Sequence, residues 1–341
     1  MSPPAEHAAP VTPQPRTPAS PFLRPSRWPL GFALLLVVAG IWELAANQLQ
    51  QRDVPTRAHW QAADNFVRKH HKPGDLIVTA PGWADPLGRL VLGDRMTLDD
   101  VTRPDARTYA RIWELSIRGA RHADTWGLKK KRQQRVGGVT ATLYQQTPVK
   151  VVSDLYQQIA TAQVWEERAG QKRPCPWRRN LRRHDCGAQW KSVRQIRAEI
   201  GYAPHRCLLA MPIEGSTRII EYPQVRLGER LVVWTGLRGY DPRYRARRAV
   251  WDYQRYRAGK WRKKKPPPRV TSVPVTLELR VNGRVLGRLR HPIEDEGWRR
   301  HVLAVAADPR KRPAVVQLRI YTRHAWGKHF CFYARSEEGA L

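Results

Sequence analysis

Several local signatures of chemistry are missing from this chain. No G-x-S-x-G, H-E-x-x-H or P-loop spacing occurs, so the nucleophile-elbow, zincin and P-loop nucleotide chemistries have no carrier. No G-x-G-x-x-G follows a candidate strand, so a dinucleotide fingerprint is absent as well. The four cysteines, at 175, 186, 207 and 331, never form C-x-x-C, which argues against a zinc ribbon or a dithiol redox motif. A lone His184 near Cys186 makes no ligand set, and neither a metal nor a cofactor is expected. Negative charge is also scarce: 29 Asp and Glu stand against 61 Lys and Arg, a formal net charge of +32 at pH 7. Such an excess favours contact with polyanions (nucleic acid, anionic lipid or acidic polysaccharide), or it places many arginines on solvated faces.

The first 27 residues are rich in Pro, Ala, Ser and Thr and have nothing to bury, the composition of a disordered tail. Residues 28–46, "WPLGFALLLVVAGIWELAA", are apolar apart from Glu43 and long enough to span about 28 Å as a helix. Trp28 and Trp42 sit near its two ends, where indoles favour the membrane interface. The run is long for a signal h-region and "ELAANQ" is a poor cleavage site, so an uncleaved anchor is expected over a cleaved signal. Arg16, Arg24 and Arg27 precede the span, which places the tail in the cytoplasm and everything after it outside, in a bacterium at the inner membrane. No second long apolar run follows, so the expectation is a single-pass protein. An even cysteine count fits a compartment that permits disulfides.

Beyond a short linker, Trp60, Ala63, Phe66 and Val67 recur at helical spacing and are closed by a basic last turn and Pro73-Gly74. "DLIVTA" then reads as a buried strand, and "RIWELSIRG" and "VTATLYQQ" as further strands, with "GLKKKRQQRVGG" a charged surface loop between them. Residues 54–147 are therefore expected to form an α/β domain. The runs "AADNFVRKHHKPGDLIVTAP" and "ARIWELSIRG" resemble the soluble α/β domain that follows the membrane helices of some bacterial polytopic glycosyltransferases using lipid-phosphate sugar donors. That resemblance implies a fold and a glycan-related setting. It transfers no catalytic residue, because the family's acidic residues lie in loops of a multi-helix scaffold that one membrane helix cannot provide.

Residues 148–205 read as a connecting region. From 206 to 336 the grammar becomes about eight short alternating strands, with Asn282-Gly283 as a hairpin turn, and predicts an all-β sandwich, a jelly roll. The run from "LRVNGRVLGRLR" to "HFCFYAR" resembles galactose-binding-like jelly rolls, the scaffold of many carbohydrate-binding modules. Four cysteines allow three pairings. Cys207 in the first strand and Cys331 in the last favour one bridge, because the terminal strands of jelly rolls often meet, and Cys175 with Cys186 is left as the local pair.

Three places could carry function. The loop "PGWADPLGR" sits where open α/β sheets bind ligands, and Trp83, Asp85 and Arg89 would supply an aromatic platform, a carboxylate and a guanidinium. The structural alternative is a turn in which Asp85 caps a helix and pairs with Arg89. Glu294, Asp295 and Glu296 cluster in one loop, but adjacent carboxylates cannot flank a glycosidic bond, so a solvated turn or a cation contact is the better reading. The third is a basic insertion at 238–271. Arg243, Arg245, Arg247, Arg248, Trp251, Arg255, Arg257, Lys260, Trp261, Arg262, Lys263, Lys264 and Lys265 interleave cations with aromatics there, a pattern suited to acidic glycans or lipid head groups. A solvated, disordered insert is the alternative. The outward topology argues against nucleic acid.

The sequence therefore reads as a single-pass envelope protein. It has an α/β domain and a β-sandwich, anchored in the lipid bilayer through residues 28–46, and contacts envelope glycan or anionic lipid without catalysis. An enzyme acting on envelope glycans through the 81–89 loop, or a structural partner of a membrane complex, are the rivals.

Overall fold

The computed structural model describes residues 28–52, 54–238, 273–292, 297–310, 312–325 and 328–339. Helix α1 (Trp28–Arg52) stands as a unit by itself. Its stretch Gly31–Leu49 is long and apolar enough to cross a membrane, and large side chains such as Phe32, Leu36 and Trp42 are exposed. A signal sequence near an N-terminus has the same property.

From Pro55 onward the chain forms one compact unit. Helix α2 (Arg57–His70) begins at a Thr56 cap, whose hydroxyl accepts from the His59 N–H. Strand β1 (Leu76–Ala80) is buried on both faces and leads into α3 (Asp85–Leu92) and α4 (Leu98–Val101). Strands β2 (Arg111–Ile117), β3 (Lys129–Val136) and β4 (Val139–Gln145) complete a four-stranded sheet in the order β1-β2-β4-β3. β1 and β2 are parallel and the other pairs antiparallel. Trp60, Ala63 and Val67 of α2 pack with Trp113, Leu115, Ile117, Val139 and Ala141 in one core.

The charged run at 127–138, expected as a loop, is mostly strand β3. Its side chains are exposed throughout except the half-buried Val136, for β3 is the edge strand of the sheet and meets α2 at Arg132 and at the β3–β4 turn. An edge strand needs no apolar alternation, and lysines there discourage pairing with another chain.

Most of the remaining residues form a β-sandwich. Its strands are β5 (Lys150–Asp154), β6 (Gln163–Arg168), β7 (Gln171–Pro174), β8 (Trp177–Arg178), β9 (Arg183–His184), β10 (Val193–Ile200) and β11 (Ala203–Ala210). They continue with β12 (Thr217–Val225), β13 (Arg230–Leu237), β14 (Val275–Val281), β15 (Arg284–His291), β16 (Arg299–Ala304), β17 (Ala314–Tyr321) and β18 (Phe330–Glu338). One sheet runs β15-β14-β17-β12-β6-β7. The other runs β16-β13-β18-β11-β10-β9-β8, with β5 also paired to β18.

The eight strands anticipated between 206 and 336 are all present, and Asn282-Gly283 turns with positive φ at both residues. The boundary at 206 is corrected. Residues 148–205 are not a connector: β6 pairs with β12, β10 with β11, and β5 with β18. The signal is weak in β6, "QVWEER", where charged residues follow one another, but β10, "VRQIRAEI", alternates from Gln195 to Ile200 and was open to a strand reading. The main core lies between the sheets and includes Leu208, Leu231, Val233, Leu277, Leu318, Phe330 and Phe332.

The outer face of the larger sheet is covered by the segment around α4. The Arg206 N–H donates to Thr102 O at 2.7 Å, and Arg335 Nη2 donates to Asp105 Oδ1 at 2.8 Å. Trp234 lies on this face beneath the Arg335 guanidinium, 4.9 Å from it, and meets Tyr333 edge-on. Burial opposes the charge of Arg335, but Asp105 and Glu337 outweigh it and raise its pKa.

Candidate functional site

The residues of the 81–89 loop lie at the carboxyl end of β1 but do not converge. Trp83 is 68% exposed, and Arg89 is exposed at the start of the last turn of α3. Asp85 is the first residue of α3, and its carboxylate accepts from the Thr79 hydroxyl instead of capping the helix or pairing with Arg89. The middle of the adjacent strand β2 holds the buried Glu114, which sequence reasoning missed. It accepts from the His122 N–H at 2.8 Å, from the Thr125 hydroxyl, and from Tyr144 Oη at 3.4 Å. Burial lowers the pKa of His122, and Asp124 opposes that shift. With three donors on one carboxylate, this cluster closes the 122–125 turn and offers no open position to a ligand.

The thirteen residues of the basic insertion, from Arg243 to Lys265, lie outside the described residues, as do Glu294, Asp295 and Glu296. Among the described residues no group of three or more His, Cys, Asp or Glu is arranged to hold a metal. The structure pairs Cys175 with Cys186 and Cys207 with Cys331. Cys207 lies in β11, well inside the sandwich, and Cys331 lies in the last strand.

The other sheet presents an open outer face, and the inter-strand register shows what lines it. Trp165 of β6 stands opposite Ile219 of β12 and Pro174 of β7, with Lys172 Nζ 5.9 Å from the Trp165 ring. Thr217 of β12 stands opposite Glu167 of β6. Next to them Glu278 accepts from Arg280 Nε at 2.7 Å and from Arg288 Nε at 2.6 Å. Burial would raise the Glu278 pKa, but these two guanidinium groups bring it below the ordinary carboxylate value.

At one end of this face three turns frame a shallow cavity of about 830 Å³ that is widely open to solvent. The β6–β7 turn brings Ala169 and Gly170, the loop before β12 brings Glu214, Gly215 and Ser216, and the end of β17 brings Tyr321, Thr322 and Arg323. Ala169 and Gly170 both have positive φ, which makes the turn tight enough for Glu167 to stay at the rim.

Polar contacts below the cavity set its walls. Arg319 engages the Glu167 carboxylate, and Ser216 Oγ donates to Glu166 Oε1 at 3.4 Å. Thr322 Oγ1 donates to Pro274 O at 3.0 Å, and Lys328 Nζ donates to Val273 O at 2.6 Å. Burial lowers the Lys328 pKa, and Glu214 works against that shift. Underneath, the fully buried Arg218 donates to Cys175 Sγ at 3.1 Å and lies 3.8 Å from Glu166. Burial brings its pKa down to about 10. The local disulfide therefore stiffens the layer on which the cavity rests.

The exposed surface of this cavity combines carboxylates, hydroxyls, one guanidinium and one aromatic ring, with a volume in the range of small-molecule sites. None of its residues was singled out from sequence. The signals were present as turn residues at strand ends, "ERAGQ", "IEGST" and "IYTRH", but nothing linear shows that three distant turns meet.

Comparison with known proteins gives no family model that matches the chain and no curated protein that matches it. Among solved structures, tandem CBM51 modules of a family 98 glycoside hydrolase from Streptococcus pneumoniae align over 59% of this chain and 56% of theirs, at 12% identity and a TM-score of 0.27. CBM51-2 and INT domains of ZmpB from Clostridium perfringens, in complex with GlcNAc, align over 61% of this chain and 45% of theirs, at 13% identity and a TM-score of 0.26. A second structure of those domains aligns over 42% of this chain and 26% of its own, at 15% identity and a TM-score of 0.22. With TM-scores this low the likeness assigns no ligand. These structures also lend no support to the glycosyltransferase-like reading of residues 54–147.

Proposed function

We propose that this is a membrane-anchored, non-catalytic envelope protein whose sandwich binds glycan in the cavity beside Tyr321. The cavity itself carries the reading. It places acceptors (Glu167, Glu214), hydroxyls (Ser216, Thr217, Thr322), a donor (Arg323) and an aromatic ring around an open space large enough for one or two sugar rings. Binding fits this set better than hydrolysis. Glu167 is engaged by Arg319, and Glu214 is solvent-exposed beside His324.

The anchor is α1, with residues 55 onward outside the cytoplasm. Supporting this are the apolar span Gly31–Leu49, the basic residues that precede it in sequence, and two disulfides that fit an oxidising compartment. The test is a screen of the full chain in detergent against neutral and acidic bacterial envelope oligosaccharides. Saturable binding to a member of the panel supports the reading, and no binding across the panel contradicts it.

A further inference from the structure

Strand β3, at the edge of its sheet, and the last turn of α2 adjoin one another and are both basic. β3 carries Lys129, Lys130, Lys131, Arg132 and Arg135 within eight residues, all exposed. No acidic residue occurs between 126 and 140, or between 65 and 74, where Arg68, Lys69 and Lys72 lie with His70 and His71. The two segments touch, for Arg132 donates to the His70 ring. The β3–β4 turn is seated at the other end of α2. The Gly138 N–H donates to His59 Nδ1 at 3.3 Å, and Gly138 also abuts Pro55. In the chain only Asp53 and Val54 separate Pro55 from the end of α1.

Each segment has a local explanation. Lysines blunt an exposed sheet edge, and cations suit the C-terminal end of a helix dipole. Neither explanation calls for the two to adjoin beside the residue at which the chain arrives from an apolar helix; of these cations, Arg68 is held by the Asp64 carboxylate.

We propose that this face, β3 with the last turn of α2, binds the anionic head groups of the bilayer that holds α1. The proposal rests on α1 being a membrane anchor. Head-group phosphates are the matching chemistry, because polybasic segments next to a membrane helix are drawn to anionic lipid within a Debye length of its surface. Contact with lipid would fix the orientation of the described C-terminal region over the membrane.

The test reconstitutes the full chain into nanodiscs of phosphatidylcholine alone or with phosphatidylglycerol. Amine acylation is then read residue by residue by mass spectrometry. Lys129, Lys130 and Lys131 are expected to react about fivefold more slowly in the anionic discs at low salt, and the difference should vanish at high salt. Lys150, exposed on the sandwich, serves as the internal reference and should react alike in both discs. Equal rates at the three lysines in both disc types would overturn the proposal while leaving the anchor intact. Protection by a soluble acidic polysaccharide but not by anionic discs would overturn it too, and would give the face to a glycan. Failure of the chain to enter discs would overturn the anchor and this face together.

Discussion

The two outer faces of the sandwich are made from the same residue types and have opposite fates. On the larger sheet, Arg335, Glu337, Trp234 and Tyr333 are buried under the α4 segment, with Arg335 2% and Glu337 0% exposed. On the smaller sheet, Glu278, Arg280, Arg288 and Arg319 form a similar lattice of opposite charges, but its arginines keep contact with solvent, Arg288 most of all, with a side chain 62% exposed. The difference lies in cover. Buried, an arginine becomes part of a fixed network whose loss strands its partners. Exposed, it remains available, and the aromatic and polar groups at the end of that face frame a cavity.

The covered face should be the costlier one to disturb. Replacing Cys207 and Cys331 together with Ser opens a loop of 124 residues, and the chain-entropy model puts the loss at about 5 kcal/mol. The same change at Cys175 and Cys186, which close 11 residues, should cost about 3 kcal/mol. Denaturant unfolding of both double variants measures the difference, which the chain-entropy model assigns to loop length, and equal losses would contradict that assignment. Next in size, Arg335→Ala should destabilise by about 3–5 kcal/mol, because Glu337 is left charged and buried.

How far this was legible in the sequence follows from the same contrast. The continuous apolar run "DLIVTA" announced β1 because that strand is buried on both faces, and β13 was found as one of eight short strands between turn signals. β3 and β6 went unread because consecutive charged residues erase period 2 in "KKKRQQRV" and "QVWEER", whereas β10 alternates from Gln195 to Ile200 and its signal was present but not used. The four cysteines gave three possible pairings, narrowed by the fold they were expected to join. The cavity could not be read at all. Glu167, Glu214 and Tyr321 are far apart in the chain, and only the pairing of β12 with both β6 and β17 brings their turns together.

A pH titration sharpens the comparison further. His205 stacks on Trp298 in the covered face with ring centroids 4.8 Å apart, and burial brings its pKa down to about 4. Its folded value lies below the ordinary histidine value, so the unfolded chain binds the extra proton first. The contribution to stability is complete above pH 6.5 and is lost as pH falls toward 4, by up to about 3 kcal/mol. His291, buried beside Thr235, behaves in the same way, its pKa also brought to about 4 by burial. Chemical denaturation at pH 7 and pH 4.5 should show the drop, and His205→Gln should reduce it. The smallest effect is expected on the open face. Arg288→Ala leaves Arg280 on Glu278 and should keep the melting temperature within error.

The claim that the open face ends in a glycan-binding cavity is tested most directly by calorimetric titration of one panel oligosaccharide into the full chain and into Tyr321→Ala and Glu214→Gln. Removing the ring should weaken binding at least about tenfold, equivalent to about 1.4 kcal/mol, while the melting temperature of each variant stays close to the parent's. An affinity unchanged in both variants, with the parent still binding, would place the ligand elsewhere and contradict the account.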